Sequence, residues 1–172
     1  QSLIDMLKLD LIVGSGGILS HAPRRIQSML MMVDAYEPMG CTRVSVDSIF
    51  MMPHLGVLST INEKAATDVF VRDCMIYLGT CVAPIGQGKD GEVCADLEIT
   101  WPDGKMTKEP LRFGDLKLFP LEFDQKATIK IQPARGVSMG AGAGVAVTKE
   151  IHGGVVGLLL DGRGRPLKLP TE

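Results

Sequence analysis

The residues of this chain best suited to chemistry lie in LDLIVGSGGILSHAPRRIQSML, from Leu9 to Leu30. Gly14, Gly16 and Gly17 flank Ser15, after an apolar run and before a stretch with helical spacing. Glycine carries a high backbone entropy cost, so such a cluster marks an unusual turn or a close approach of backbone to something else. At a strand-to-helix junction, glycines leave backbone N–H groups facing an anion or a flat ring with no side chain in the way. A helix start adds partial positive charge, worth about 0.3–1 kcal/mol at an exposed site. The chemistry on offer is therefore binding, of a nucleotide or a similar ligand. The competing reading is a tight turn that lets helix and sheet pack closely.

Two familiar nucleotide-binding patterns do not match. The dinucleotide fingerprint G-x-G-x-x-G/A would place its third small residue at Leu19. A P-loop needs Lys followed by Ser or Thr, and no such pair follows these glycines.

The neighbouring polar residues each carry two readings. His21 is either a neutral donor to a nucleotide or a capping and packing residue. Arg24 and Arg25 follow Pro23 and reach toward a phosphate, or toward solvent or a carboxylate. Asp47 ends a strand, where ligands gather in α/β folds, or it caps a turn. His54 has no apparent partner carboxylate, and His152 reads as a surface or turn residue. The three histidines lack metal-ligand spacing, so neither a metal site nor a catalytic residue is assigned. Arg163 and Arg165 flank Gly164 in a turn, or grip a carboxylate or anion on a partner. Met29, Met31 and Met32 cannot all lie on one helix face, so some are expected to meet another surface.

These residues need elements to position them. Leu9 to Val13 reads as a buried strand. Ser20 is an N-cap candidate, with Pro23 in the first turn of a helix that buries Ile26, Met29, Leu30 and Val33 and stops before Pro38. TRVSVDS alternates as a strand through Val44 and Val46. Pro53 and Gly56 break IFMMPHLGVLS into a turn or short helix. Thr60 and Glu63 have capping-box spacing, and a helix is expected from about Asn62 to Leu78 with Gly79 as its C-cap. After Gly79 helical spacing stops. Val93 to Trp101 alternates and meets the tight turn Asp103-Gly104, a hairpin. KATIKIQP, GVAVTKEI and GGVVGLLLDG are further strands, and in SMGAGAGVAV Gly140, Gly142 and Gly144 leave one strand face bare. The expected class is α+β, a small α/β layer over residues 1–80 and an all-β barrel or sandwich over 85–172, with IGQGKDGE as linker.

With its elements in place, LIVGSGGILSHAPRRIQSML resembles the adenosine motif of the actin-like ATPase superfamily: strand, glycine cluster, proline and amphipathic helix. More narrowly, VGSGGILSHAPRR, VDSIFMMPHLGVLS and GGVVGLLLDGRGRPLKLP together are similar to the C-terminal portion of the glutamate mutase accessory proteins of the GlmL or MutL type. The resemblance implies an ATP site, with Gly14, Gly16 and Gly17 beside adenine, ribose and α-phosphate, Ser15 and His21 in the same wall, and Pro23 as the motif proline. It implies an accessory, chaperone-like role in maintaining a cobalamin-dependent mutase. The superfamily's two phosphate motifs, the first an Asp-x-Gly-x-Thr-like turn, are absent, and Asp161 in LDGRGRP lacks the required continuation. The expectation is a fragment of a larger ATPase that does not hydrolyse ATP alone. Its partners would be upstream ATPase lobes of the same protein and a mutase. Two other classes stay open: a nucleotide- or NAD-dependent oxidoreductase, and a purely structural interaction module.

Composition bounds the choice. The chain has 172 residues and a formal net charge of -2. No basic stripe points to nucleic acid and no polybasic run to a membrane surface. No apolar run approaches the roughly 18 residues of a membrane span. Cys41, Cys74, Cys81 and Cys94 show no C-x-x-C spacing and read as reduced thiols of a cytoplasmic protein.

Overall fold

The computed structural model describes residues 4–168. The ends of the two expected segments, including Leu169 and Pro170 of the C-terminal stretch, lie outside the described residues. The chain folds as α+β around two sheets.

The first sheet begins as the sequence pattern predicts. Strand β1 (Leu11–Gly14) pairs in parallel with β2 (Gly40–Asp47), and helix α2 (Arg25–Tyr36) makes the crossover between them. β2 then pairs antiparallel with β3 (Met75–Ala83). The remaining strands come from late in the chain. β9 (Gly157–Asp161) pairs in parallel with β3, and β6 (Leu116–Phe119) pairs antiparallel with β9, giving the order β1-β2-β3-β9-β6. The expected division at residues 80–85 is therefore crossed by hydrogen bonds. β6, with its short half-exposed alternation, was invisible to the sequence pattern.

The second sheet is four-stranded and antiparallel, in the order β5-β4-β7-β8, with β4 between its hairpin partner β5 and the later strand β7. β4 (Val93–Thr100) and β5 (Met106–Arg112) form the expected hairpin around Gly104, whose φ of 82° suits a glycine. β7 (Lys126–Pro133) alternates buried and exposed along its whole length, as a strand covered on one face must. β8 (Val147–His152) closes the edge. Among the described residues the strands form no closed barrel; the two sheets stack as a sandwich.

Two cores share the first sheet. On one face Val82, Leu158 and Leu160 meet Leu97, Ile99, Ile129 and Ile131 of the second sheet. On the other, Val44, Val46, Cys81 and Leu159 meet Met29, Met32 and Val33 of α2. β9 is buried throughout because it lies under both layers, which is why LLL reads as a continuous apolar run.

Two local expectations fail for physical reasons. Ser20 does not cap α2. It ends a separate four-residue helix, α1 (Gly17–Ser20), and α2 starts at Arg25, with Gln27 accepting a hydrogen bond from the Arg24 N–H at 3.0 Å. The helix expected from Asn62 to Leu78 is also shorter. α4 (Glu63–Val69) is capped by Asn62, not Thr60, and a π-turn over Phe70–Cys74 leads straight into β3. Tyr77 and Leu78 satisfy helical spacing, yet they gain more as strand: β3 is a central strand with ladders on both sides. Gly79 is no C-cap. It sits inside β3 at a φ of 149°, where any Cβ would collide with the Gly157 carbonyl of β9.

Between β2 and α4 stands α3 (Met52–Ser59), whose Leu55 packs with Ala66 of α4 and Cys74 of the π-turn. No helix of the described residues is long and apolar enough to cross a membrane.

Candidate functional site: the glycine turn

The turn joins the end of β1 to α1 and lies over the side of α2. Its glycines answer to different constraints. A Cβ on Gly14 would come within 2.6 Å of Leu19 Cδ1 and 2.7 Å of Met32 Sδ, so this glycine exists to let the helices approach the sheet. Gly16 has nothing within 4 Å of a built Cβ, but its φ of 131° excludes ordinary side chains. Gly17 has neither constraint: only the His21 ring comes as near as 4.0 Å. The packing reading thus accounts for Gly14 and leaves Gly16 and Gly17 as bare backbone in front of open space.

That space is shaped. Ser15, Gly16, Gly17, Ile18, Met31 and Tyr36 are among the walls of a concavity of about 370 Å³, within the size range of small-molecule sites. A second concavity of about 310 Å³ lies beside it, lined by Gly17, His21, Pro23, Gln27 and Met31 among others. Ile18, 79% exposed, stands between the two. Of the six residues expected to form the site, five therefore line these two hollows, and Gly14 lies behind them. His21 and Pro23 are exposed.

The lining differs from a phosphate cradle. α1 has four residues, too few for aligned peptide dipoles to sum to much. Arg25 donates to the Ser20 carbonyl at 3.1 Å, and Arg24 is exposed. Leu19, Met31, Met32, Ala35 and Tyr36 make the larger hollow mostly apolar. Such a surface suits the flat, uncharged part of a ligand. Met31 and Tyr36 were absent from the sequence-derived site. Met31 did carry a signal, since Met29 and Met32 fill the buried face and leave it outside.

Asp47 fixes the turn to the rest of the fold. Ser15 Oγ donates to its Oδ2 at 3.2 Å, and Ser20 Oγ donates to its carbonyl oxygen at 2.8 Å. Its carboxylate also accepts from the N–H groups of Met51 at 3.1 Å and Met52 at 2.7 Å, the start of α3. Burial pushes the carboxyl pKa up, but the donors at Met52, Met51 and Ser15 outweigh it and hold the group below the ordinary range. Of the two readings for Asp47, the structure gives the cap.

The other candidates disperse. His54 is exposed on α3. His152 lies on β8, 3.4 Å from Glu150. Arg163 and Arg165 do grip a carboxylate, but it is the chain's own: both donate to Asp161 Oδ2, at 2.9 and 2.8 Å, and Arg163 also reaches Asp34 at 2.8 Å. The four cysteines are free, and burial raises every one of their thiol pKa values, Cys41 and Cys94 to about 11. None is poised as a nucleophile.

No curated protein and no solved structure matches the chain. A family model does. The glycine turn, α2, Asp47 and the α3–α4 pair all fall within residues 1–74, the segment that is similar to the family model described as MutL protein.

Proposed function

We propose that this chain supplies the adenosine side of an ATP cleft and an interaction surface within an actin-like accessory protein that maintains a cobalamin-dependent mutase. The family reading gives the general role, since MutL proteins of this type are accessory to a cobalamin-dependent glutamate mutase. The observation that carries the finer reading is the bare backbone of Gly16 and Gly17 in front of an apolar hollow, inside the segment matched by the family. Such a wall fits a purine and its ribose better than a triphosphate. The phosphate motifs would come from ATPase lobes outside this sequence, and ATP would act by opening and closing those lobes against this wall. In this reading the chain has no ATPase activity of its own, and the protein works in the cytoplasm.

The test is calorimetric binding of adenosine and ATP to the chain and to the chain joined to its ATPase lobes. Weak adenosine binding that strengthens in the joined protein is expected. Gly16→Val should weaken it about tenfold or more, since a side chain there both strains the backbone and fills the hollow. Unchanged affinity in a folded variant would overturn the adenosine assignment, and tight NAD binding to the chain alone would favour an oxidoreductase.

A further inference from the structure

On the face of β2 turned away from α2, the chain leaves a guanidinium without an acceptor. Arg43 lies over the Tyr77 ring at 4.2 Å. No carboxylate among the described residues comes within ion-pair distance of it, and its Nε is buried with no hydrogen-bond partner. Two residues along the same strand face, Ser45 is fully buried and its Oγ is also unpartnered. Buried donors left unmade are costly and uncommon; of the Arg43 guanidinium only Nε is enclosed in this way, the residue as a whole being half-buried. The adjoining surface is aromatic and apolar: Phe123 contacts Tyr77 at 5.7 Å between ring centres and is 60% exposed, and Val155 and Leu11 are exposed too. Glu150 nearby is already engaged by Lys126 and His152.

We infer that this face is a docking site for another protein, which presents an acidic side chain set among apolar residues to Arg43. Charge complementarity selects that occupant. The local field is positive: beyond its burial, His152 is held below its usual pKa by Arg43 and Lys126. The planar fork of Arg43 matches a carboxylate, and Tyr77 holds it in place by cation–π contact. The apolar rim of Phe123, Val155 and Leu11 exceeds what a small anion needs. The inference is independent of the ATP cleft, which lies on the α2 side of the sheet.

The probe is a short acetylated, amidated peptide, Leu-Val-Glu-Val-Leu, with its Gln counterpart and free acetate as controls. Binding to the full chain is followed by NMR through the Arg43 Nε–H and the Phe123 ring. The Glu peptide should give saturable shifts at both, with affinity in the millimolar range or tighter, and the Gln peptide should bind about tenfold more weakly, as expected for loss of one charge-assisted hydrogen-bond pair. Arg43→Gln should abolish the difference between the peptides. If that variant loses its dispersed spectrum, Arg43→Lys, which keeps charge but not the fork, should reduce the difference. Equal binding of Glu and Gln peptides, no saturable shift, or an unchanged difference in either folded variant would overturn the inference. So would acetate binding as tightly as the peptide, which would make this a small-anion site.

Discussion

Gly14 and Gly16 stand two positions apart on one turn, yet substitution should separate them. A methyl on Gly14 meets the ends of Leu19 and Met32, which must move out of a packed core. Gly14→Ala is expected to destabilise the chain by about 1–3 kcal/mol, the usual range for overpacking, read as a lowered denaturant midpoint. Gly17→Ala meets open space at an ordinary backbone angle and should leave that midpoint within about 0.5 kcal/mol of the parent. A Gly14→Ala chain as stable as the parent would show that the helices have slack against the sheet. The pattern G-S-G-G announced the turn but could not say which glycine served packing and which faced space. That distinction depends on Leu19 and Met32, which reach Gly14 only once α1 and α2 are folded over β1.

At the scale of elements, the segment after β9 is a clasp. Arg165, fully buried, donates to Asp161 at 2.8 Å and to the Pro38 carbonyl at 3.0 Å, while Leu167 N–H donates to Glu37 at 2.8 Å. It ties the end of the chain to the corner between α2 and β2. Burial raises the Asp161 carboxyl pKa, but Arg163 and Arg165 overcome that and the net shift is downward. A carboxyl depressed in the folded state stabilises it above the unfolded pKa and loses that contribution as pH falls through the folded value. Stability should therefore be flat near neutrality and fall once pH drops below the ordinary carboxyl value of 3.8. Arg165→Ala leaves the buried Asp161 carboxylate with Arg163 as its one remaining guanidinium partner and should cost about 1.5–3 kcal/mol at pH 7, the range for a hydrogen bond to a charged group. Because protonation of Asp161 then relieves the variant, the gap to the parent should narrow in acid, measured by urea unfolding at several pH values. A constant gap would mean that Arg165 acts by packing alone. The sequence showed two arginines around a glycine and left open whose carboxylate they hold. Asp161 and Asp34 lie 127 residues apart, and only the sheet brings them together.

At the scale of the molecule, texture and packing divide the chain differently. Helical spacing does end near Gly79, and the hairpin and alternating strands after it were legible because a sheet covered on one face imposes period two. What the pattern could not carry is pairing between distant strands. β9 looks like any buried strand from its sequence, yet its place is between β3 and β6, under α2 on one face and the second sheet on the other. The glycine turn depends on this arrangement, because β1 and α2 rest on a sheet whose inner strands are β2, β3 and β9. Residues 1–84 alone would expose the β3 edge and the Val82 side of the core, and lose Leu159 from beneath α2. Expressed by themselves they should give a poorly dispersed amide spectrum and no cooperative thermal transition. Co-expression with residues 85–172 should restore both if the two pieces find the β3–β9 register. Mutating the crossing point offers a finer version of the same test. Gly157→Ala places a methyl against the Phe119 carbonyl of β6, far from the turn, yet it should loosen β9 and so raise hydrogen exchange in β3 and α2 as well as in β6. Exchange confined to β6 and β9 would show that the layer bearing the turn is stable without the strand that closes it.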